Sequence, residues 1–465
     1  MCGLIIRRHN QFDTFDFDLG IHDQSIWLLA HGKVFNTVCG LPVFGHHAMF
    51  AYYALVPLVW LGGGPNLWDS LQVVALALSA VPVFLLARNR LRHEWVALCF
   101  ALAWLLMPTT GFLAWETIHP ETMALPFFIT GYYFATTRPE GPERQARRHN
   151  VYTAVWLLAA LLWKEDIALA CIGLGVVLTM RGRRRFGPAV LVVGAAYFAG
   201  IGMWLVPTLA GDFTAYTGLF GELGDTPGEM VRASMNDPSL LVRRLSDNRW
   251  HSYVGQVFGP LGMLSFLAPV VLVMALPMML INLLTINDFT RAMYYHYQAI
   301  PIATAMIAAI EGAAFLGRRR LVLGRAAAGL TVASALLTAT MWGVLPFSTE
   351  FDAGWWSRGH DPAIAGWHAA IERVGPSDIV AAHYKGVPHL THREVVYTFP
   401  NPWIRSNFLN DPAKFVSPSE VKWLVIEDGT LHGKEETMLS DLLARGEYGD
   451  AESIAGVTSY RRLLP

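Results

Sequence analysis

The sequence predicts an α-helical polytopic membrane protein that carries a small C-terminal α/β domain. Hydrophobic residues make up 53% of the 465 positions and charged residues only 15%. The mean hydropathy is +0.36, whereas soluble domains normally carry more charge. Apolar segments alternate with short basic loops up to about residue 346, as in chains that cross a bilayer repeatedly. Beyond that position the composition turns polar and the membrane pattern stops.

Arginine residues cluster at one end of the apolar segments. Because positive residues are retained on the cytoplasmic side of a bilayer, these clusters define an inside face. The net charge is −1 and basic residues are confined to loops, so nucleic acid is not an expected partner. The clusters are Arg88/Arg90/Arg92, Arg138/Arg144/Arg147/Arg148, Arg181/Arg183/Arg184/Arg185 and Arg318/Arg319/Arg320/Arg325.

The apolar segments alternate across the membrane without conflict once the arginine loops are placed inside. Prolines break the region 254–285 into short pieces, so this region is expected to cross and return. The segment 48–62 ends in a run of glycines and is expected to dip in from the outer face and return. The remaining segments are 66–87, 95–113, 122–137, 151–163, 167–180, 186–207, 298–316 and 324–346.

The predicted organisation is a transmembrane domain at 1–346 and an extracytoplasmic α/β domain at 347–465. Two polar regions of the first domain, 9–47 and 208–250, are expected to lie outside the membrane. The apolar segment 1–6 precedes two arginines and is expected to be the end of a first membrane helix rather than a signal peptide. Strands are expected at 379–383, 395–399 and 423–427, and further helices at 23–31, 227–245, 363–374 and 435–445.

Ionisable residues gather at the ends of the segments opposite to the arginines. Charge next to hydrocarbon is costly and usually marks function. A carboxylate that follows a first membrane helix could act as a general base on an acceptor hydroxyl, so Asp18 and Asp23 are the candidate catalytic residues. The alternative is that Asp18 caps a helix N-terminus. The outer set is Asp18, Asp23, His46, His47, Glu116, His119, Glu121, Lys164, Glu165 and Asp166.

Two short motifs of this set are candidates for substrate and donor binding. The first places Glu116, His119 and Glu121 in a turn between apolar segments, with helix capping as the alternative role. The second is Lys164-Glu165-Asp166, which interrupts an apolar run. A lysine at such a depth suits a lipid phosphate, and the alternative is a self-neutralising cluster.

Further candidates are less specific. Arg291 and His296 could help to hold a phosphate or a sugar, although interfacial aromatic residues surround them. A divalent metal could bind to histidine and carboxylate side chains of the outer set. The four cysteines show no disulfide framework or zinc-binding spacing. The candidate metal ligands are His46, His47, His119 and Glu121.

In combination, these motifs resemble one family over nearly the whole chain, the bacterial membrane proteins grouped as domain of unknown function 2079. That family is similar to the GT-C glycosyltransferases, such as the aminoarabinose transferases and protein O-mannosyltransferases. The resemblance implies a GT-C-like fold and a polyprenyl-phosphate-sugar donor on the outer leaflet. The motifs are Phe17-Asp18-Leu19-Gly20 with Asp23-Gln24, Gly45-His46-His47, His119-Pro120-Glu121, Lys164-Glu165-Asp166, His296-Tyr297, Pro388-His389-Leu390 and Tyr397-Thr398-Phe399-Pro400.

The resemblance also implies roles for individual residues. Asp18 matches the position of the catalytic carboxylate, and Pro120-Glu121 matches a proline–acid pair in the second outer loop. Lys164 matches a lysine that is associated with the donor phosphate. Two positions depart from the pattern, because Leu19 replaces an acidic neighbour of the catalytic residue and Glu165 replaces a glycine.

Together, the residues and the resemblance predict an inverting glycosyltransferase of the plasma membrane. Its partners would be the bilayer, the lipid-linked sugar donor and an acceptor at the outer face. Two other classes stay open. A transporter would need polar residues through both leaflets, whereas the inner halves of these segments are apolar. A metal-dependent hydrolase or a metal-binding protein could use the same histidines and carboxylates.

The arginine loops make the topology testable. Reporter fusions after Arg92, Arg148, Arg185 and Arg320 should report the cytoplasm, because these loops carry the positive charge. Fusions near Thr117 and beyond residue 346 should report the outside. A cytoplasmic signal from the C-terminal fusion would overturn the assignment of the candidate residues to the outer face.

Overall fold

Long apolar helices dominate the structure, a computed structural model that describes residues 1–137, 143–211, 218–356, 361–408 and 414–463. Within these ranges, four helices are long and apolar enough to cross a membrane. A pair of helices, Glu94–Leu106 and Pro108–Trp115, makes a fifth when counted as one span. The predicted helical membrane architecture is confirmed. The four long helices are Pro65–Leu91, Phe186–Ala210, His296–Arg319 and Leu321–Trp342.

The arginine clusters mark helix ends, as the sequence predicts. Pro65–Leu91 ends within the first cluster, and Ile167–Met180 stops directly before Arg181. Ala299–Arg319 and Leu321–Trp342 meet at the last cluster. Cationic side chains at a helix C-terminus interact favourably with the helix dipole and reach the membrane surface. Arg138 of the second cluster lies outside the described residues.

Prolines divide two of the predicted segments. Pro108 bends its segment by 47°, because proline lacks the N–H that would continue the helix. The region 254–285 likewise consists of short helices and 3₁₀ turns, and Pro260, Pro269 and Pro277 each lie in the first turn of one of these pieces. These pieces are Trp250–Phe258, Gly259–Leu261, Leu264–Leu267, Pro269–Leu272 and Leu276–Leu284.

The structure forms two compact units. One comprises Gln72–Leu205 and Thr214–Trp355, and the other comprises Met1–Leu71, Val206–Phe213 and Trp356–Pro465. We call the first the helical unit and the second the mixed unit. The predicted boundary at residue 346 stays a prediction, since the mixed unit joins the C-terminal residues to the first 71.

The helical unit includes the loop that carries Glu116 and His119. After Pro108–Trp115 the chain leaves the helix and passes through extended residues to the short helix Pro120–Met123. The remaining helices of the unit are Leu125–Thr136, Glu143–Leu161, Phe186–Tyr197 with the π-helical Phe198–Leu205, Gly221–Leu223, Pro227–Asn236, Pro238–Asp247, Asp288–Arg291, His296–Gln298 and Thr349–Asp352.

The mixed unit contains two sheets. A small antiparallel pair consists of β1 (Phe35–Asn36) and β2 (Leu41–Pro42). The main sheet consists of β3 (Val380–Ala382), β4 (Val396–Thr398), β5 (Trp423–Glu427), β6 (Tyr448–Ile454) and β7 (Val457–Arg462). Its five strands lie in the order β4-β3-β5-β7-β6. Strands β3, β4 and β5 are parallel, and β7 and β6 continue the sheet antiparallel.

Three of these strands were predicted, and two were missed. Strands β3, β4 and β5 are almost fully buried, so they appear in the sequence as short apolar runs. Strand β6 lies mostly exposed and contains Asp450 and Glu452, and β7 ends in two arginines. Strand β6 is an exposed edge strand and shows no apolar alternation. Strand β7 lies inside the sheet, but two of its three buried residues are the polar Thr458 and Ser459, so it shows no apolar run either.

The helices of the mixed unit pack around this sheet. Trp367 on the helix Ala363–Glu372 is buried in the core on one face of the sheet. Leu442 on Lys434–Ala444 is buried on the other face. The other helices are Cys2–Asn10, the π-helical Asp16–Gly20, Ile21–Ala30, Val43–His46, Phe50–Ala54, Val56–Trp60, Val206–Ala210, Val387–His389 and Pro418–Glu420.

Candidate functional site

Five of the predicted site residues form one buried cluster in the helical unit. His296 Nδ1 lies 2.8 Å from Glu116 Oε1, and His296 Nε2 lies 3.5 Å from Glu121 Oε1. The His119 and His296 rings stack with centroids 3.9 Å apart. Lys164 Nζ donates to Glu121 Oε1 at 2.8 Å. Residues from three separate parts of the chain therefore meet, which sequence adjacency alone did not reveal.

Gln72 fixes the loop that supplies two members of this cluster. Its side-chain amide nitrogen donates to the carbonyl oxygens of Leu113, Glu116 and Thr117 at 2.7–2.9 Å. Its amide oxygen accepts from the His119 backbone N–H at 2.6 Å. The bend at Pro108 and the extended loop leave backbone groups without helical partners, and Gln72 satisfies several of them. Its buried amide is a positioning element that sequence analysis missed.

Lys164 is neutralised by acidic neighbours. Besides Glu121, its Nζ lies 3.5 Å from Asp166 Oδ2, and the side chains of both Lys164 and Glu121 are buried. Burial alone would raise the pKa of Glu121, but Lys164 and His119 outweigh it and hold that pKa at about 2. The geometry matches the self-neutralising cluster that the sequence left open as the alternative. Contact between Lys164 and a donor phosphate stays a prediction.

The cluster also contains a group of potential metal ligands. Within the described residues, ligand atoms of Glu116, His119 and His296 lie within 4.8 Å of one another. His119 Nδ1 lies 2.8 Å from the Thr117 carbonyl oxygen, which can only accept, so Nδ1 carries the proton. In a neutral ring, Nε2 then carries the lone pair that metals bind, and it faces Glu116 Oε1 at 3.9 Å.

The four predicted metal ligands belong to different units of the structure. His119 belongs to the three-residue group, whereas Glu121 is engaged by Lys164. His46 and His47 belong to the mixed unit, where their rings lie 4.5 Å apart and His46 packs near His22.

Arg291 and Glu165 are two further predicted residues of the helical unit. Arg291 is buried, and its guanidinium donates to the carbonyl oxygens of Thr285 and Asn287 and pairs with Asp288. It therefore supports its own loop. Glu165 is buried beside Gly202, where an added Cβ would lie 3.2 Å from Glu165 Cγ.

The candidate catalytic carboxylates belong to the mixed unit. Asp18 lies on the π-helical turn Asp16–Gly20 and is partly exposed. The helix Ile21–Ala30 follows without a side-chain cap, so the alternative role of Asp18 as an N-cap is wrong. Asp23 is fully buried on that helix. The two residues therefore occupy different environments.

Asp23 forms a hydrogen-bonded junction. Its Oδ1 accepts from Trp68 Nε1 at 2.6 Å and lies 3.3 Å from His392 Nε2. Its Oδ2 accepts from the Thr391 hydroxyl. Gln24, the next residue, bonds Thr37, whose hydroxyl donates to the Val396 carbonyl at 2.8 Å. These bonds connect the N-terminal segment to the main sheet within the mixed unit.

Asp16 is a further carboxylate on this segment and is not among the residues that the sequence marks as site candidates. It is buried and accepts a 2.5 Å hydrogen bond from Thr398 Oγ1 at the end of β4. Burial raises the pKa of Asp16 to about 6, although the bond from Thr398 opposes the rise. The alternating Phe15-Asp16-Phe17-Asp18 was the available signal, because it sets two carboxylates close together in one turn.

Comparisons with known proteins agree with this architecture. The structure is similar to crystal structures of ArnT from Cupriavidus metallidurans. The apo form has a TM-score of 0.57 at 13% identity, covering 96% of this chain and 93% of that one. The form bound to undecaprenyl phosphate has a TM-score of 0.57 at 12% identity, covering 100% and 97%. None of the curated protein sequences matches the chain.

The likeness to ArnT confirms the GT-C fold that the sequence predicts. At this level of identity it carries the fold alone. The sequence match is more direct, since residues 8–458 match a family described as predicted membrane proteins. The motifs that carry the resemblance, from Phe17 to Pro400, fall inside the matched range, as do strands β3 to β6. The chain therefore belongs to the DUF2079 family of predicted membrane proteins.

Proposed function

We propose that this protein is a membrane glycosyltransferase that takes a sugar from a polyprenyl-phosphate donor at the outer face of the plasma membrane. The observation that carries the proposal is the buried cluster of Glu116, His119, Glu121, Lys164 and His296 in a chain with the GT-C fold. Ionisable groups at such positions are costly and usually belong to a substrate site. The bound lipid of one ArnT structure supports a polyprenyl phosphate as the donor carrier.

In this proposal Asp18 is the general base. Asp16 and Asp23 are buried, whereas Asp18 is partly exposed. Its carboxylate would take the proton of an acceptor hydroxyl while the oxygen attacks the anomeric carbon of the sugar. The bond between that carbon and the phosphate oxygen would break, the polyprenyl phosphate would leave, and the anomeric configuration would be inverted.

The leaving group would be held by Lys164. Its Asp166 contact is 3.5 Å long and its Glu121 contact 2.8 Å, so a phosphate oxygen could replace Asp166 while Glu121 keeps the ammonium in place. Phosphate and carboxylate compete for the same donor groups of an ammonium. Glu121, His119 and His296 would orient the sugar. Arg291 is not included, because backbone carbonyls and Asp288 occupy its guanidinium.

Asp18→Asn should abolish sugar transfer and leave the fold intact, because the amide keeps the shape of the carboxylate and loses the base. Transfer can be measured with radioactively labelled sugars linked to undecaprenyl phosphate. The readout is the label that stays in cell-envelope material after its lipids have been extracted. The matched control is Asp23→Asn on the same segment. Its amide would turn a donor toward Trp68, Thr391 or His392, so about 1–3 kcal/mol of stability should be lost.

Thermal unfolding separates the two variants. Asp18→Asn should unfold like the wild type, and Asp23→Asn should unfold at a lower temperature. Retained transfer in Asp18→Asn would remove Asp18 as the base. Absence of transfer from every tested donor in the wild-type protein would remove the glycosyltransferase proposal itself.

The role of Lys164 in donor binding can be tested in a variant that also lacks the charge of Glu121. Lys164→Met alone leaves Glu121 charged and buried and should cost roughly 3–5 kcal/mol of stability. Lys164→Met combined with Glu121→Gln should recover most of that loss. Compared with Glu121→Gln alone, the double variant should bind undecaprenyl phosphate about 10- to 150-fold more weakly, the effect of one charge-assisted hydrogen bond. Equal affinity of the double variant and Glu121→Gln would show that Lys164 only neutralises its acidic neighbours.

A metal role for the same cluster is favoured by Glu116, His119 and His296. Two imidazoles and a carboxylate suit Zn²⁺, Mn²⁺ or Fe²⁺. Protein purified without a polyhistidine tag should contain close to one equivalent of a divalent transition metal by elemental analysis. His296→Ala should lose it, and His251→Ala, which removes an exposed histidine, should keep it. A metal-free wild-type protein after metal supplementation would exclude the site.

A further inference from the structure

A basic cavity lies at the arginine end of the helical unit. Its volume is about 540 Å³, within the range of small-molecule sites. Two connections between helices, together with the helix ends beside them, line the cavity. The turn between Pro65–Leu91 and Glu94–Leu106 supplies Arg90, Arg92 and His93, and the turn between Ala299–Arg319 and Leu321–Trp342 supplies Arg318 and Arg325. None of this belongs to the cluster around Glu116 and Lys164.

The charge of the cavity is unbalanced. No acidic side chain is among its lining residues. Arg90 is compensated from outside the lining, because its Nε donates to Glu311 Oε1 at 3.0 Å. In the described part of the chain, Arg92, Arg318 and Arg325 have no ion-pair partner, and all three side chains are exposed. The cavity therefore presents several guanidinium groups to an anion.

Close packing of two helices shapes one wall of the cavity. Gly317 and Gly324 both line it, and a Cβ added to Gly324 would lie 2.9 Å from the Gly317 Cα. The turn between these helices is correspondingly tight. Leu91, Val96 and Leu321 add apolar surface to the lining of the cavity. A ligand would thus meet guanidinium groups and hydrocarbon side by side.

An exposed apolar stripe leads away from the cavity along Glu94–Leu106. Its side chains are spaced three or four residues apart and therefore share one helix face. Their exposed fractions range from 75% at Trp95 to 37% at Leu98. Such a face beside a basic pocket fits a ligand with an anionic head and a hydrocarbon tail. The stripe consists of Trp95, Leu98, Leu102 and Leu105.

We propose that this cavity binds the phosphate headgroup of an anionic membrane lipid in the leaflet on the arginine side, with an acyl chain along the Trp95–Leu105 stripe. Arginine suits this role because its planar guanidinium donates two parallel hydrogen bonds to phosphate oxygens. Basic pockets between membrane helices are suited to anionic headgroups. A soluble phosphate would satisfy the guanidinium groups and leave the apolar stripe unused, so we assign the lipid. The proposal does not depend on the glycosyltransferase activity.

The test compares two double variants of one turn. Arg318→Gln/Arg325→Gln removes two lining charges, and Arg319→Gln/Arg320→Gln removes two charges from residues that do not line the cavity. Binding of dioleoylphosphatidylglycerol and dioleoylphosphatidylcholine to the full-length protein in detergent can be counted by native mass spectrometry. The lining variant should bind phosphatidylglycerol roughly 30-fold more weakly, at about fivefold for each charge, and the control variant less than twofold.

Three results would overturn the proposal. Equal losses in both double variants would reduce the effect to general surface charge. Equal binding of phosphatidylcholine and phosphatidylglycerol would show that the cavity does not select an anionic headgroup. Displacement of phosphatidylglycerol by millimolar glycerol 3-phosphate in the wild type would assign the cavity to a soluble phosphate. Thermal unfolding of both variants, which should match the wild type, excludes misfolding as the cause.

Discussion

Burial of charge among apolar helices is the constraint on which the helical unit depends. Lys164 and Glu121 are both buried, and neither could remain charged there alone without a cost of several kcal/mol. Their 2.8 Å contact therefore ties the short helix Pro120–Met123 to the turn before Ile167–Met180. Once Glu121 is fixed, His296 lies between it and Glu116. Gln72 completes the arrangement by holding the backbone of the loop after Pro108–Trp115.

The same constraint applies at the arginine end. Glu311 is buried on Ala299–Arg319 and accepts hydrogen bonds from Arg90 at 3.0 Å, Arg181 at 3.1 Å and Tyr132 at 3.0 Å. One acid thus anchors two arginines from different loops. At 1.5 Å per helical residue, His296 and Glu311 lie roughly 20 Å apart along their helix. This helix therefore joins two polar centres, an acid–histidine cluster at one end and an arginine-rich surface at the other.

Sequence patterns predicted those features that depend on local chemistry. Arginines and prolines gave the helix ends, because a charge or a missing N–H acts on its own turn. Adjacent ionisable residues in an apolar context gave Lys164 and Glu121. Gln72 was missed because it is a single polar residue in an apolar helix whose partners lie more than 40 positions later. Strand β6 was missed because it is mostly exposed, and β7 was missed because two of its three buried residues are Thr458 and Ser459.

Asp16, Asp18 and Asp23 illustrate how packing separates the roles of carboxylates that look alike in the sequence. Asp23 is fully buried and contacts the side chains of Trp68, Thr391 and His392, so its carboxylate holds the segment in place. Asp16 is buried against Thr398, and burial raises its pKa to about 6, which makes the neutral form more accessible. Asp18 lies between them on the turn and retains partial exposure. Asp16 is bonded to Thr398 on β4, and Asp23 is bonded to Thr391 and His392 in the loop before that strand, so these contacts hold both sides of the turn that carries Asp18.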